Sequence, residues 1–248
     1  MVICHEMVQY LDVALNVSAF KDYGPNGLQV QGKPSIQRIA TGVTASLALI
    51  EAAVAQNYDA LLVHHGLFWR GQDGRLVGWL AQRVRHLMAH NINLLAYHLP
   101  LDAHESWGNN AVWAQQMGWQ PDGRFGEQGL GFIGSSPDTD LSSLLTRVEI
   151  GMGRRPVWIH GDGRTIKRIA WCSGGAQGYF DAAIAAGADV FLTGEISEPQ
   201  AHLARETGVA FVACGHHASE RYGARALGEH LAQRFELDHT FIDIENPA

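Results

Sequence analysis

RIATGVTASLALIEAAVAQNYDALLVHH (residues 38–65) decides the fold class. An apolar run, an Ala-rich helical run and a second apolar run follow one another, and two histidines close the series. The pattern predicts a strand over 36–43, a helix over 46–56 and a buried strand over 60–63. Outward from it the alternation continues, with a helix over 76–89, a strand over 92–97 and a helix near 109–117. The later chain repeats the scheme: strands over 166–172, 190–193 and 209–213 alternate with helices over 177–186, 199–206 and 218–234, and a last strand covers 240–244. Strand–helix alternation of this kind is α/β architecture. Residues 1–17 read as an amphipathic helix, because Glu6 and Asp12 and the lack of a basic start argue against a signal peptide.

The two series resemble each other in sequence as well as in pattern. Arg38-Ile-Ala40 lies over Arg168-Ile-Ala170, Glu51–Ala55 over Asp181–Ala185, and Asp59–Leu62 over Asp189–Leu192, all at a constant offset of 130. Ala-rich helices align easily, so packing alone could account for part of this. At an offset of 118, however, His98 falls on His216 and Asp102 on Glu220, and polar residues are harder to attribute to packing. The sequence is therefore read as two similar α/β halves from an internal duplication, residues 1–122 and 123–248, joined through the Gly/Asp/Pro-rich stretch 118–131. His160-Gly-Asp-Gly163 reads as a hairpin turn between strands over 157–159 and 166–170.

Composition narrows the function. The chain has 248 residues, 46% hydrophobic and 17% charged, which is ordinary globular composition. A net charge of −7 gives no support to a nucleic-acid-binding surface. No apolar run approaches the roughly 20 residues of a membrane span. Three scattered cysteines are too few for a disulfide framework or a thiolate zinc site, which suits a soluble, cytoplasmic protein. Histidine is in excess, with thirteen residues, so a metal would be held by imidazole and carboxylate.

The placement of those groups carries the chemistry. His64 and His65 follow one apolar strand, His98 and Asp102 a second, and His216 and Glu220 a third. All stand at the carboxyl ends of strands, where open α/β sheets bind ligands. Each has an ordinary alternative: a solvated His pair, a helix cap at Asp102, or a carboxylate favoured by the helix dipole at Glu220. The metal reading alone accounts for all three together. Such a set suits Zn, Mn, Fe, Co or Ni.

Gly129-Leu-Gly-Phe-Ile-Gly134 matches a dinucleotide fingerprint in letters only, since no strand precedes it and no helix opens in it. Ser173–Gly178 links a strand to a helix and is either an anion-binding loop or a turn that needs glycine for packing. Among seven tryptophans, Trp69, beside the His pair, is the one expected to line a pocket; the others are read as core.

Asn26-Gly-Leu-Gln-Val30, Val63-His-His-Gly-Leu-Phe68, His98-Leu-Pro-Leu-Asp102, Leu192-Thr-Gly-Glu195 and Gly215-His-His-Ala-Ser-Glu220 together resemble the GTP cyclohydrolase 1 type 2 homologues, the NIF-three-like dinuclear-metal family. The resemblance covers nearly the whole chain and points to the shorter bacterial branch. It implies two halves facing each other across a dinuclear metal site in a toroidal homohexamer, with two divalent ions per subunit. The implied ligands are His64, His65, Asp102, His216 and Glu220, with His98 close to the metals as a proton shuttle or substrate-facing group. His217 stands where the family often has Tyr and is the alternate to His216 as ligand; Glu195 stands where it often has Asp, so no role is carried to it. The implied function is a hydrolase in which metal-bound hydroxide attacks GTP or a damaged nucleotide. A metal-stabilised scaffold for a protein or nucleic-acid partner is the alternative.

Overall fold

The computed structural model describes residues 1–248, which form two compact units: Met1–Gly108 with Gly223–Glu245, and Asn109–Tyr222 with Asn246–Ala248. The first contains β1 (Val2–Ile3), α1 (Cys4–Ala14), β2 (Gly27–Val30), β3 (Ser35–Ile36), β4 (Arg38–Thr44), α2 (Leu47–Ala55), β5 (Ala60–His65), α3 (Gly78–Ala89), β6 (Asn93–Ala96) and α4 (Leu99–Ala103). The second contains α5 (Asn109–Met117), β7 (Gln120–Phe125), β8 (Gly131–Ser135), α6 (Leu141–Met152), β9 (Val157–Ile159), β10 (Ile169–Trp171), α7 (Phe180–Ala185), β11 (Val190–Thr193), α8 (Glu198–Thr207) and β12 (Ala210–Ala213). Helix α9 (His216–Phe235) begins in the second unit, and its later turns and β13 (Asp238–Phe241) belong to the first.

In the first unit a five-stranded sheet runs β13-β4-β5-β6-β2, parallel except for β2. The apolar face of α1 (Met7, Leu11) packs with Leu227 and Leu231 of α9 on one side, and α2 and α3 pack through Leu49, Ile50, Val84 and Leu87 on the other. Strands β5 and β6 are buried on both faces, which is why ALLV and NLLA read as unbroken apolar runs. Ser46 caps α2 by accepting the Leu49 N–H at 3.2 Å. Register aligns the strand ends: Thr44 lies opposite His65, and Val63 opposite Ala96.

The second unit carries a six-stranded sheet, β7-β8-β10-β11-β12-β9, whose three middle-order strands β10, β11 and β12 are parallel. Its core is aromatic: Trp113, Trp119 and Trp171 are fully buried. Thr193 pairs with Ala213, so the segments after β11 and β12 leave the sheet side by side.

The architecture is α/β, and the 130-residue offset recurs in its hydrogen bonds. Asp59 Oδ2 accepts the N–H groups of Gln37 and Arg38 at 3.0 and 2.9 Å. Asp189 Oδ2 accepts those of Lys167 and Arg168 at 2.8 and 2.9 Å. In both units an aspartate at the mouth of one strand thus ties down the start of its neighbour.

Three details differ from the sequence expectations. The sequence division falls at 122/123, whereas the compact units exchange at 108/109 and again at 222/223, because Trp113 and Met117 pack on Trp119 and β13 pairs with β4. His160–Gly163 is not a hairpin turn: β9 pairs antiparallel with β12, while β10 lies between β8 and β11. The aspartate of that segment is instead held by Arg164. Finally, Trp79 is not core but 55% exposed.

Candidate metal centre

His64 and His65 end β5, and His98 follows β6, so parallel pairing brings the three imidazoles together. Their ring centroids lie 4.7 Å (His64–His65), 4.9 Å (His64–His98) and 5.6 Å (His65–His98) apart, and one ring nitrogen from each falls within 4.8 Å of the others. Asp102 is one turn further along α4, whose first N–H groups (Leu101, Asp102) close on the His98 carbonyl. Its Oδ2 lies 3.5 Å from His64 Nε2, with both side chains buried.

In the second unit, His216 and Glu220 are four residues apart on α9 and share a helix face. His216 Nε2 lies 3.2 Å from Glu220 Oε2. Gly174, at φ +69°, borders the pair, and a Cβ there would collide with Glu220 Oε1. The N–H groups of Gly174 and Ala176 are taken by the hydroxyls of Ser219 and Thr193. Ser173–Gly178 is therefore a packed turn that makes room for Glu220, and these two N–H groups are not offered to an anion.

The imidazole tautomers follow from what holds them. His64 Nδ1 donates to the Tyr97 carbonyl at 3.0 Å, His98 Nδ1 to Asp22 Oδ1 at 2.7 Å, and His216 Nδ1 to Glu195 Oε1 at 2.6 Å. A carbonyl or carboxylate only accepts, so each Nδ1 carries the hydrogen and Nε2 is the nitrogen left for a further partner. His65 Nδ1 meets the Thr44 hydroxyl at 3.2 Å. This is the arrangement that metal-binding imidazoles require, with Nδ1 anchored and Nε2 presented.

Asp22 and Glu195 are the two site residues that sequence reasoning left without a role. Asp22 lies 76 residues from His98 and also accepts from Asn26 Nδ2 and the Leu99 N–H, both at 2.9 Å. Asn26 in turn accepts the His98 N–H at 2.7 Å. Burial works against the Asp22 charge, but these bonds, chiefly those from His98, hold its carboxyl down at about 2. Position 195 keeps its carboxylate although the family often has Asp there, and Gly194 lets it sit beside α9: a Cβ at Gly194 would be 2.6 Å from His216 Cα. Of the two, Glu195 lies in a quoted motif, Leu192-Thr-Gly-Glu195, and Asp22 lies four residues before another, Asn26-Gly-Leu-Gln-Val30. Most other histidines have ordinary partners: His230 bonds Tyr10 and stacks on Trp107, His239 bonds Thr41, and His202 faces Glu198.

Burial lowers the affinity of His216 for its proton, yet Glu220 and then Glu195 more than reverse this and push its pKa up to about 9. A raised pKa stabilises the folded chain fully below the unfolded value near 6.5, and the contribution fades as pH climbs through 9. Urea midpoints of chelator-treated protein should therefore fall between about pH 6.5 and 9, and Glu195→Gln should flatten that slope. A midpoint that rises over the interval, or a slope indifferent to Glu195→Gln, would contradict the assignment.

Residues 2–247 match the model of the Duf34/NIF3 (NGG1p interacting factor 3) family. The chain belongs to this family. The Duf34/NIF3 chain is 50% identical to a Neisseria meningitidis serogroup B protein and 46% identical to one from Escherichia coli K12, each named "GTP cyclohydrolase 1 type 2 homolog". The first alignment covers all of both chains and the second 98% of each. Among solved structures, the protein ybgI, described as of unknown function, superposes with a TM-score of 0.96 at 44% identity, and one from Thermus thermophilus with 0.92 at 34%. Both cover the whole of either chain. In this Duf34/NIF3 protein the imidazole and carboxylate donors could hold metal ions, and the absence of thiolates among them suits borderline divalent metals.

Proposed function

We infer that the protein is a divalent-metal-dependent hydrolase acting on a nucleotide, with GTP or a damaged nucleotide as substrate. Two ions per subunit, of Zn, Mn, Fe, Co or Ni, would be held by His64, His65 and Asp102 from the first unit and His216 and Glu220 from the second. The observation that carries the reading is the anchoring of Nδ1 on His64, His98 and His216 by groups that only accept, which leaves each Nε2 for an ion or a proton. The ions, when bound, supply Lewis acidity that makes water a nucleophile near neutral pH. Asp102 or Glu220 would supply the carboxylate shared between the ions in this reading. His98, oriented by Asp22 and Asn26, is the residue placed to take and return a proton at Nε2.

Assembly into a toroidal homohexamer belongs to the same proposal. Leu76, Val77, Trp79 and Met88 are each more than half exposed, an apolar surface that association would cover. No helix is long and apolar enough to cross a membrane, and three buried cysteines, none in a disulfide, support a cytoplasmic setting.

The test is metal-loaded protein incubated with GTP and a panel of damaged nucleotides, with products read by mass spectrometry. Turnover is expected, and Glu220→Gln should lower it at least about 100-fold, the scale on which preorganised charge acts in catalysis, with fold and mass unchanged. Full metal content with no turnover of any panel member would overturn the hydrolase and favour a metal-stabilised scaffold.

A further inference from the structure

Two aromatic side chains flank the imidazole cluster without serving the core. Tyr23 is 57% exposed and Trp69 is half-buried, yet both contact His98. The Trp69 ring meets His98 edge-on, with centroids 5.1 Å apart at 86°, and lies 5.9 Å from His65. Tyr23 approaches His98 at 6.1 Å and 65°. Two loops, 22–24 and 68–70, carry them and are fastened together. The Arg70 N–H donates to the Tyr23 carbonyl and its guanidinium to the Asp22 carbonyl, both at 2.6 Å. Gly24 allows the contact, because a Cβ there would lie 2.5 Å from the Phe68 carbonyl oxygen. The charge of these loops is also organised: Asp73 is closed by Arg75, and Asp22 is turned inward to His98, Asn26 and backbone N–H groups. Arg70 adds an exposed positive charge next to Trp69.

We propose that Tyr23 and Trp69 form a slot for the planar base of a purine nucleotide, beside His65 and His98, with Arg70 meeting its phosphate. Aromatic faces bind a base by stacking, and a guanidinium fixed at its root is suited to a phosphate. A substrate with only one of these parts would use only half of the slot. The proposal rests on the nucleotide reading of the site and names the residues that confer it.

The experiment measures binding of GMP, guanosine and ribose 5-phosphate to the metal-loaded full chain by calorimetry. Trp69→Leu, Tyr23→Ala and Arg70→Ala are compared, with metal content and melting temperature checked for each. GMP should bind the unaltered protein more tightly than either fragment. Trp69→Leu should weaken GMP about 10–100-fold, the effect of losing a base–aromatic stack, and leave ribose 5-phosphate unchanged. Arg70→Ala should weaken GMP and ribose 5-phosphate but not guanosine. Tyr23→Ala, at an exposed position, keeps the test open if Trp69→Leu does not fold. GMP binding that is equal in wild type and in the two aromatic variants overturns the slot and leaves the hydrolase standing. No GMP binding by wild type with its metals retained overturns the slot and the nucleotide reading together.

Discussion

His64→Ala is expected to abolish tight metal binding. The side chain is fully buried at the end of β5, its Nδ1 committed to the Tyr97 carbonyl and its Nε2 3.5 Å from Asp102. Removing a ligand deletes a coordinate bond outright. Removing a partner that only orients a ligand costs about 10–100-fold in metal affinity. Glu195→Gln, which alters the carboxylate that anchors His216 Nδ1, should therefore fall in that range, and His64→Ala should exceed it. Competition with a chromophoric chelator, read alongside elemental analysis, gives both numbers. Wild-type affinity in His64→Ala, or a greater loss in Glu195→Gln than in His64→Ala, would remove His64 from the ligand set.

Trp171→Ala should produce the largest loss of stability. The ring is fully buried on β10, with centroids 5.2 Å from Trp119 and 5.7 Å from Phe132. Its Nε1 donates to the Asn110 carbonyl at 3.0 Å. Truncation leaves a large cavity among rigid neighbours, and buried Trp→Ala changes cost about 3–5 kcal/mol. The loss should be visible as a lower urea midpoint in chelator-treated protein. Val13→Ala, at a side chain of α1 that is 81% exposed, should stay within about 0.5 kcal/mol. The site should register the Trp171 change too, because Asn110 Oδ1 also holds the Ser173 N–H at the start of the turn that borders Glu220. Equal midpoints for the two variants would show that the aromatic cluster does not support the second unit.

Much of this was written in local pattern. The alternation around residues 38–65 and 166–193 places strands and helices correctly because strand burial on both faces leaves continuous apolar runs. His64, His65, His98 and His216 are legible as strand-end groups because a polar residue directly after such a run has to lie at the sheet's edge. Asp22 escaped the same reasoning. It sits in a loop with no periodicity, and its partner His98 is 76 residues away. Glu195 lies 21 residues from the imidazole that its carboxylate meets, and nothing local marks it as the partner of His216 Nδ1.

The sequence by itself determined the α/β class, the recurrence of an aspartate at a constant offset, and the histidines and carboxylates at strand ends. Each of these depends on hydrophobic periodicity and on residues close along the chain. Only the tertiary structure decided which strand β9 joins, where the compact units exchange, and which carboxylates hold the imidazoles. The physical reason is common to all three. Strand partners, core membership and hydrogen bonds between residues far apart in the chain are chosen by packing between segments, and Asp-Gly at a turn or an aspartate in a loop satisfies local rules equally well whichever partner it finally meets.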